Sequence, residues 1–256
     1  MKSLIKKITS EKLRTILKNN LNYKIVPFSL EKAKYSSVSD AFLWRTDNGF
    51  STIFKYTDIL KLFFKIEESH VEIIFYNKEN KQIKKITINE MNYSNELLIN
   101  SEFLNHTNDY GTFYIYHFAK QKIEKENILS NRCYLGFSKE NNIYSFVHGN
   151  TFSRFKKIDD QKKEETNIIN TTFFKNQKYK IQKYFGGFEK HELFFSNPTS
   201  KIINFSIDKE EFILKGGSVI MIKIFKKQQI EIKSNCLFFR PTIFSYNKDY
   251  FDVHHS

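Results

Sequence analysis

The chain has 256 residues, a formal net charge of +13 and 40% hydrophobic residues, with 27 Phe and 14 Tyr. Only 8 glycines and 3 prolines are present, which excludes a collagen-like or low-complexity chain. Two cysteines are too few for a disulfide scaffold, and the length allows one large domain or two smaller domains, each with its own core.

The positive charge comes mainly from lysines spread along the whole chain, whereas arginine is scarce. Lysine shares A/T-rich codons with the other abundant residue types, so part of the charge reflects base composition. A nucleic-acid surface would cluster its basic residues and would use arginine for bidentate contacts. We therefore expect no specific nucleic-acid partner.

The first predicted element is a short amphipathic helix within residues 1–22. Apolar side chains recur there at helical spacing between basic ones, at Leu4, Ile5, Ile8, Leu13, Ile16 and Leu17. No following apolar stretch has the length of a secretory signal or of a membrane span. We expect a cytoplasmic protein with reduced cysteines and no transmembrane segment. The helix is expected to pack on its own domain, with weak contact of residues 2–18 to an anionic membrane surface as the alternative.

From residue 23 onward, short runs of β-branched and aromatic residues predict strands, at 51–56, 71–76, 112–118, 218–225 and 229–233. Turn-forming residues separate the runs, and the segments 77–81 and 197–200 are typical of hairpin connections. The pattern predicts an all-β protein built from two tandem antiparallel β-sandwich domains, of jelly-roll or immunoglobulin-like type.

The charged segment 156–166 has almost no apolar residues and no periodicity, which is typical of a linker. It separates a first predicted β-sandwich domain, residues 23–155, from a second, residues 167–256. Each is of a normal size for one sandwich.

Similar patterns in the two halves predict that the domains arose by internal duplication. The pattern Glu-x-x-Phe-x-Asn-x-x-x-Lys-x-Ile begins at Glu72 and again at Glu192. Near the end of each half, an aromatic residue, a Val and a His recur in the segments 145–148 and 251–254. Each closing segment follows a turn that contains an Asn and a Cys.

The closing segments carry the histidines that favour a metal site. Strand alternation places Asp252 and His254 on one face of the second segment, and duplication would bring the end of the first segment close to them. A single zinc or iron ion could then take its ligands from His148, Asp252, His254 and His255. This arrangement would indicate a metal-dependent enzyme.

The same region also favours an anionic or carbohydrate-like ligand. Arginine binds carboxylate and phosphate groups with paired hydrogen bonds that lysine does not reproduce. Trp44 could hold a sugar ring beside Arg45, although the same strand position suits a core tryptophan. The residues predicted to bind the ligand are Arg45, Arg132, His148, Asn150, Arg240 and His254.

The sequence therefore supports hypotheses of different classes. The first is a non-catalytic binding or accessory protein that holds an anionic or carbohydrate-like ligand at the junction of the two halves. The alternatives are the metal-dependent enzyme and a protein-interaction scaffold. Neither the ligand nor the oligomeric state follows from the sequence.

Overall fold

The computed structural model describes residues 23–26, 36–119, 128–131, 133–140, 143–149, 152–157, 165–167, 170–173, 177–181, 187–225, 229–236, 239–248 and 250–255. The prediction of an all-β protein is confirmed, since these residues form 22 strands and a single short α-helix. The helix predicted within residues 1–22 lies outside the described residues. Within the described ranges, no helix has the length and apolar character needed to cross a membrane.

The strands up to the middle of the chain are β1 (Tyr23–Val26), β2 (Ser36–Asp40), β3 (Phe42–Arg45), β4 (Phe50–Tyr56), β5 (Ser69–Asn77), β6 (Gln82–Ile88), β7 (Asn95–Ile99), β8 (Tyr110–Ala119), β9 (Ile128–Asn131), β10 (Tyr134–Lys139) and β11 (Ser145–His148). The α-helix is α1 (Ile59–Phe64). It begins at Asp58, whose carboxylate accepts hydrogen bonds from the backbone N–H groups of Leu60 and Lys61.

The remaining strands are β12 (Phe152–Lys157), β13 (Glu165–Asn167), β14 (Asn170–Phe173), β15 (Gln177–Ile181), β16 (Lys190–Ser196), β17 (Ile203–Ile207), β18 (Glu210–Leu214), β19 (Val219–Phe225), β20 (Ile230–Ser234), β21 (Thr242–Tyr246) and β22 (Phe251–His255). The predicted linker 156–166 overlaps β12 and β13, which pair with each other, and its residues 158–164 lie outside the description.

Five four-stranded sheets organise these strands. We call them sheet 1 (β3-β8-β5-β6), sheet 2 (β11-β10-β4-β7), sheet 3 (β19-β16-β21-β22), sheet 4 (β15-β20-β17-β18) and the outer sheet (β13-β12-β2-β9). Sheets 1 to 4 are antiparallel, whereas the outer sheet contains one parallel pair, β2 with β9. Strands β1 and β14 form a separate two-stranded sheet.

Two sets of eight strands have the same connectivity. The first set is β3 to β8 with β10 and β11, and the second set is β15 to β22. The strands of each set can be numbered 1 to 8 along the chain. In both sets, one sheet then has the spatial order 1-6-3-4, and the other has the order 8-7-2-5. The last two strands of each set form a hairpin, β10–β11 in the first and β21–β22 in the second.

This connectivity shows that one of the two sequence matches between the halves does not join equivalent strands. The closing segments lie on β11 and β22, which are the eighth strands of the two sets. Glu72 and Glu192, by contrast, lie on β5 and β16, a third strand and a second strand. The match between them arises because a composition dominated by a few residue types repeats short patterns in strands of different position.

The sheets pack on one another in succession. Sheets 1 and 2 face each other through aromatic contacts such as Phe42 with Phe54, whose ring centroids are 5.0 Å apart. Sheet 3 adds Phe194 and Phe244 to that core. The opposite face of sheet 3 packs on sheet 4, where the ring centroids of Phe195 and Phe205 are 4.8 Å apart. The result is a blade-like series of sheets that differs from the two self-contained sandwiches predicted from the sequence.

The central strand of sheet 3 carries a sequence pattern that is consistent with this packing. This strand, β16, buries the consecutive residues Leu193, Phe194 and Phe195, and these point alternately to opposite faces. A continuous apolar run is the pattern of a strand that is covered on both sides. The second strand set therefore contributes to the core of the first.

Candidate functional site

The two closing segments predicted from the sequence lie side by side. Strands β11 and β22 are edge strands of sheets 2 and 3, and Ser145 joins them. The Ser145 hydroxyl donates a 2.9 Å hydrogen bond to Asp252 Oδ1 and accepts one of 2.9 Å from the backbone N–H of Val253. We call this junction of β11 and β22 the seam.

Histidines from both strand sets line the seam. The ring centroids of His148 and His255 are 5.0 Å apart, and His255 Nε2 lies 2.8 Å from the backbone oxygen of His148. His254 points to the other face of β22, where its Nδ1 lies 3.6 Å from Asp252 Oδ2. The structure thus forms two pairs, His148 with His255 and Asp252 with His254.

These pairs bear on the predicted metal site. Because side chains alternate along β22, the four predicted ligands are divided between its two faces. Within the described part of the chain, no group of three or more His, Cys, Asp or Glu side chains is placed to hold a metal ion. Burial lowers the pKa of His255 to about 4, and the nearby charge of Arg240 acts in the same direction. Burial also lowers the pKa of His254, although Asp252 opposes the shift. Both rings are therefore neutral at pH 7.

The other predicted ligand-binding residues have different surroundings. Arg240 is partly exposed and close to His255, whereas Arg132 and Asn150 lie outside the described residues. Trp44 is fully buried and donates a 2.9 Å hydrogen bond from its indole to the backbone oxygen of Tyr76, as a core residue. Arg45 is also fully buried.

The Arg45 guanidinium joins the two strand sets. It binds Asp47 through two hydrogen bonds of 2.9 Å and donates a third, of 3.0 Å, to Glu192 of the second set. Tyr246 donates a 2.5 Å hydrogen bond to the same Glu192 oxygen, and Lys190 lies 2.6 Å from the other. Burial alone would raise the pKa of Glu192, but the charge of Arg45 and the hydrogen bonds from Lys190 and Tyr246 hold it below the ordinary value. The hydrogen bonds of Arg45 are thus made to other residues of the protein, and its role is to join the two strand sets.

A cleft of about 770 Å³ opens beside the seam. One wall is the connection between β10 and β11 in the first strand set, and the other is the hairpin of β21 and β22 in the second. The described residues that line it are Lys139, Glu140, Ile143, Tyr144, Ser145, Phe188, Tyr246, Asn247, Lys248, Tyr250, Phe251 and Asp252. None of the described residues that line the cleft is one of the predicted ligand-binding residues, and Asp252 is the one predicted metal ligand among them.

Aromatic rings lie on both walls of the cleft. Phe188 and Tyr250 meet edge to face with centroids 5.8 Å apart, on the wall from the second strand set. Tyr144 supplies a ring from the opposite wall. Tyr246 is held in place through its hydroxyl, which contacts Arg45 and Glu192. Such an arrangement offers flat apolar surfaces between polar groups.

The charges of the cleft are balanced among the described residues. Lys139 and Lys248 are opposed by Glu140 and Asp252. Lys139 Nζ lies 3.9 Å from Glu140 Oε1, and Asp252 already accepts the hydrogen bond from Ser145. The described lining of the cleft therefore contains no cluster of arginines of the kind that a strongly anionic ligand favours.

The aromatic residues of this cleft are not among the predicted ligand-binding residues. A signal was present, since Tyr144 and Tyr250 each immediately precede one of the two closing segments. Phe188 gave no such signal, because it lies in a connection far from either segment. Comparison with protein-family models and with curated proteins found no match to this chain.

Proposed function

We propose that this protein is a non-catalytic binding protein that holds a carbohydrate-like ligand in the cleft between its two strand sets. The observation that carries the proposal is the cleft itself, with aromatic side chains on both walls and polar groups between them. A sugar ring has an apolar face that stacks on an aromatic ring and hydroxyl groups that hydrogen-bond at its edges.

The polar groups of the cleft suit hydroxyls better than a strong negative charge. Asn247 donates from its side chain to Gly187 and accepts from the backbone of Lys248, so its amide helps to shape the hairpin. Lys248 can donate hydrogen bonds to hydroxyl groups, and the carboxylates of Glu140 and Asp252 can accept hydrogen bonds from them. Of the two ligand classes in the first hypothesis, we therefore favour the carbohydrate-like one.

We also propose that the two strand sets arose by duplication of a unit of two packed sheets. The identical strand order supports this proposal, as does the pairing of the final hairpin in each set. The cleft lies where the eighth strand of one unit meets the eighth strand of the other. A site of this kind is available only after duplication, because a single unit supplies one wall.

Sugar binding by variants at two tyrosines tests the proposal. Tyr250 lines the cleft and is 57% exposed, while Tyr93 lies away from it and is 56% exposed, so the two form a matched pair. We expect isothermal titration calorimetry to detect binding of at least one of the disaccharides maltose, cellobiose, laminaribiose and chitobiose or of the corresponding hexasaccharides. Tyr250→Ala should weaken that binding about tenfold, and Tyr93→Ala should leave it unchanged. Absence of binding by every sugar, or equal effects of the two variants, would overturn the proposal.

A further inference from the structure

The outer face of sheet 2 carries exposed aromatic side chains that continue from the cleft. Tyr144, at the cleft wall, has its ring centroid 6.1 Å from that of Phe146 on β11. Phe146 is 44% exposed, and Tyr134 on the neighbouring strand β10 is 60% exposed. Strand pairing places Tyr134 opposite His148, so its side chain shares the face of Phe146. We call Tyr144, Phe146 and Tyr134 the aromatic track.

A glycine allows the middle ring of the track to lie close to the sheet. Gly136 is directly opposite Phe146, and a Cβ atom at this position would come within 2.6 Å of the Phe146 ring. The same Cβ would also come within 2.6 Å of a methyl group of Ile53 on the adjacent strand. The ring therefore lies directly over the backbone of Gly136.

Charged residues beside the track are paired with one another. Lys55 Nζ lies 2.7 Å from Glu96 and 5.2 Å from the centroid of the Phe146 ring. At the cleft end, Lys139 has Glu140 as its partner. The described surroundings of the track thus have polar groups of both signs and no excess charge, which is complementary to a ligand that is polar but uncharged.

We infer that the ligand of the cleft is a neutral polysaccharide, whose chain leaves the cleft and continues along the aromatic track of sheet 2. This inference rests on the proposed function. Its support is the row of rings that leads from the half-buried Tyr144 to the exposed Phe146 and Tyr134 on one face of sheet 2, together with the paired charges beside them. A monosaccharide or disaccharide would occupy the cleft and leave the track uncovered. Exposed aromatic side chains that lie together on one face of a sheet indicate a binding surface.

The dependence of affinity on chain length tests this inference. We expect titration with maltose, cellobiose, laminaribiose and chitobiose and with the corresponding hexasaccharides to find at least one series in which the hexamer binds about tenfold more tightly than the dimer. Phe146→Ala should weaken hexamer binding about fivefold and leave dimer binding unchanged. Phe225→Ala is the control, because Phe225 is an exposed phenylalanine of β19 outside the track.

The outcomes separate this inference from the proposed function. Equal affinities for dimer and hexamer, with no effect of Phe146→Ala, would overturn the inference that the ligand is a polysaccharide. The proposal that the cleft binds a sugar would still stand. A preference for acidic sugars such as glucuronic acid over all neutral ones would overturn the neutral ligand. If no sugar of any length binds, both fail. If Phe146→Ala does not fold, Phe146→Leu takes its place. We expect Phe146→Leu to weaken binding of the hexamer and to leave binding of the dimer unchanged.

Discussion

Ser145 and Asp252 are 107 residues apart in the chain, yet a 2.9 Å hydrogen bond joins their side chains at the seam between the two strand sets. The same serine oxygen also receives the backbone N–H of Val253. One small side chain thus connects the edge of sheet 2 to the edge of sheet 3. Ser145 lines the cleft where its two walls meet.

Ser145→Ala should therefore destabilise the protein by about 1 kcal/mol, because the Val253 N–H loses its acceptor in a partly buried position. The free energy of unfolding can be measured from urea titrations. Ser200→Ala is the matched control, since Ser200 is exposed and has no comparable bridging role. Equal stabilities of the two variants would show that the seam is not held in this way.

Replacement of Arg45 by methionine should destabilise the protein by about 3 kcal/mol or more. The variant removes the buried cation that binds Glu192 and leaves Lys190 as its remaining cationic partner, and loss of one partner of a buried ion pair is costly. In the double variant Arg45→Met with Glu192→Leu, part of the loss should be recovered, because both charges are gone. Additive effects in a denaturant-based double-mutant cycle would contradict a direct interaction between these residues.

Acid should destabilise the fold through its buried histidines. Burial lowers the pKa of His191 and of His255 to about 4, and that of His117 to about 3, from 6.5 in an exposed histidine. Above pH 7 these rings are neutral in both the folded and the unfolded states, so they add no pH dependence. As the pH falls from about 6.5 towards 4, the unfolded chain takes up protons more readily than the folded chain, and stability decreases. Urea midpoints measured from pH 8 to pH 4.5 should decrease over this window; constant midpoints would refute the assignment.

His117→Leu should increase stability at pH 7. Neither ring nitrogen of this fully buried histidine has a hydrogen-bond partner among the described residues. Removal of two unsatisfied polar atoms from the core should stabilise the fold by about 1 kcal/mol, minus any cost of altered packing. Below pH 6.5, the free energy of unfolding of the variant should also decrease less steeply with falling pH, because one histidine no longer contributes to the decrease. A less stable variant with an unchanged pH profile would indicate a partner for this ring.

Gly136→Ala tests the packing beneath the aromatic track. The added methyl group would meet both Ile53 and the Phe146 ring at 2.6 Å, so that at least one of them must move. We expect a destabilisation of about 1 kcal/mol and weaker binding of hexasaccharides. Calorimetric unfolding together with titration measures both effects. Wild-type stability and affinity would show that Phe146 does not need its observed position.

The sequence was sufficient to predict the class of the fold because strands leave a local signal. The runs at 51–56, 71–76 and 112–118 correspond to β4, β5 and β8, and the turn at 77–81 connects β5 to β6 as a hairpin. The turn at 197–200 was also predicted to be a hairpin. It instead leads from β16 in sheet 3 to β17 in sheet 4. Turn residues reverse the chain, but they do not decide which strands pair afterwards.

The candidate site was only partly predictable for a similar reason. The segments of His148 and His255 lie next to each other, and both segments stand out in the sequence. The role of Arg45 depended on Glu192, which lies 147 residues further along the chain and has no local relationship to it. The cleft depends on the surface between two hairpins, and side-chain alternation within one strand gives no information about that surface.

The most direct test of the central claim is to map the ligand onto the protein by NMR. Titration of isotope-labelled protein with the tightest-binding sugar should shift the backbone amide signals of residues 143–145 and 247–252 together, because both walls of the cleft contact the ligand. Shifts confined to one strand set, or centred on residues outside the cleft and the aromatic track, would contradict a binding site formed at the junction of the two halves.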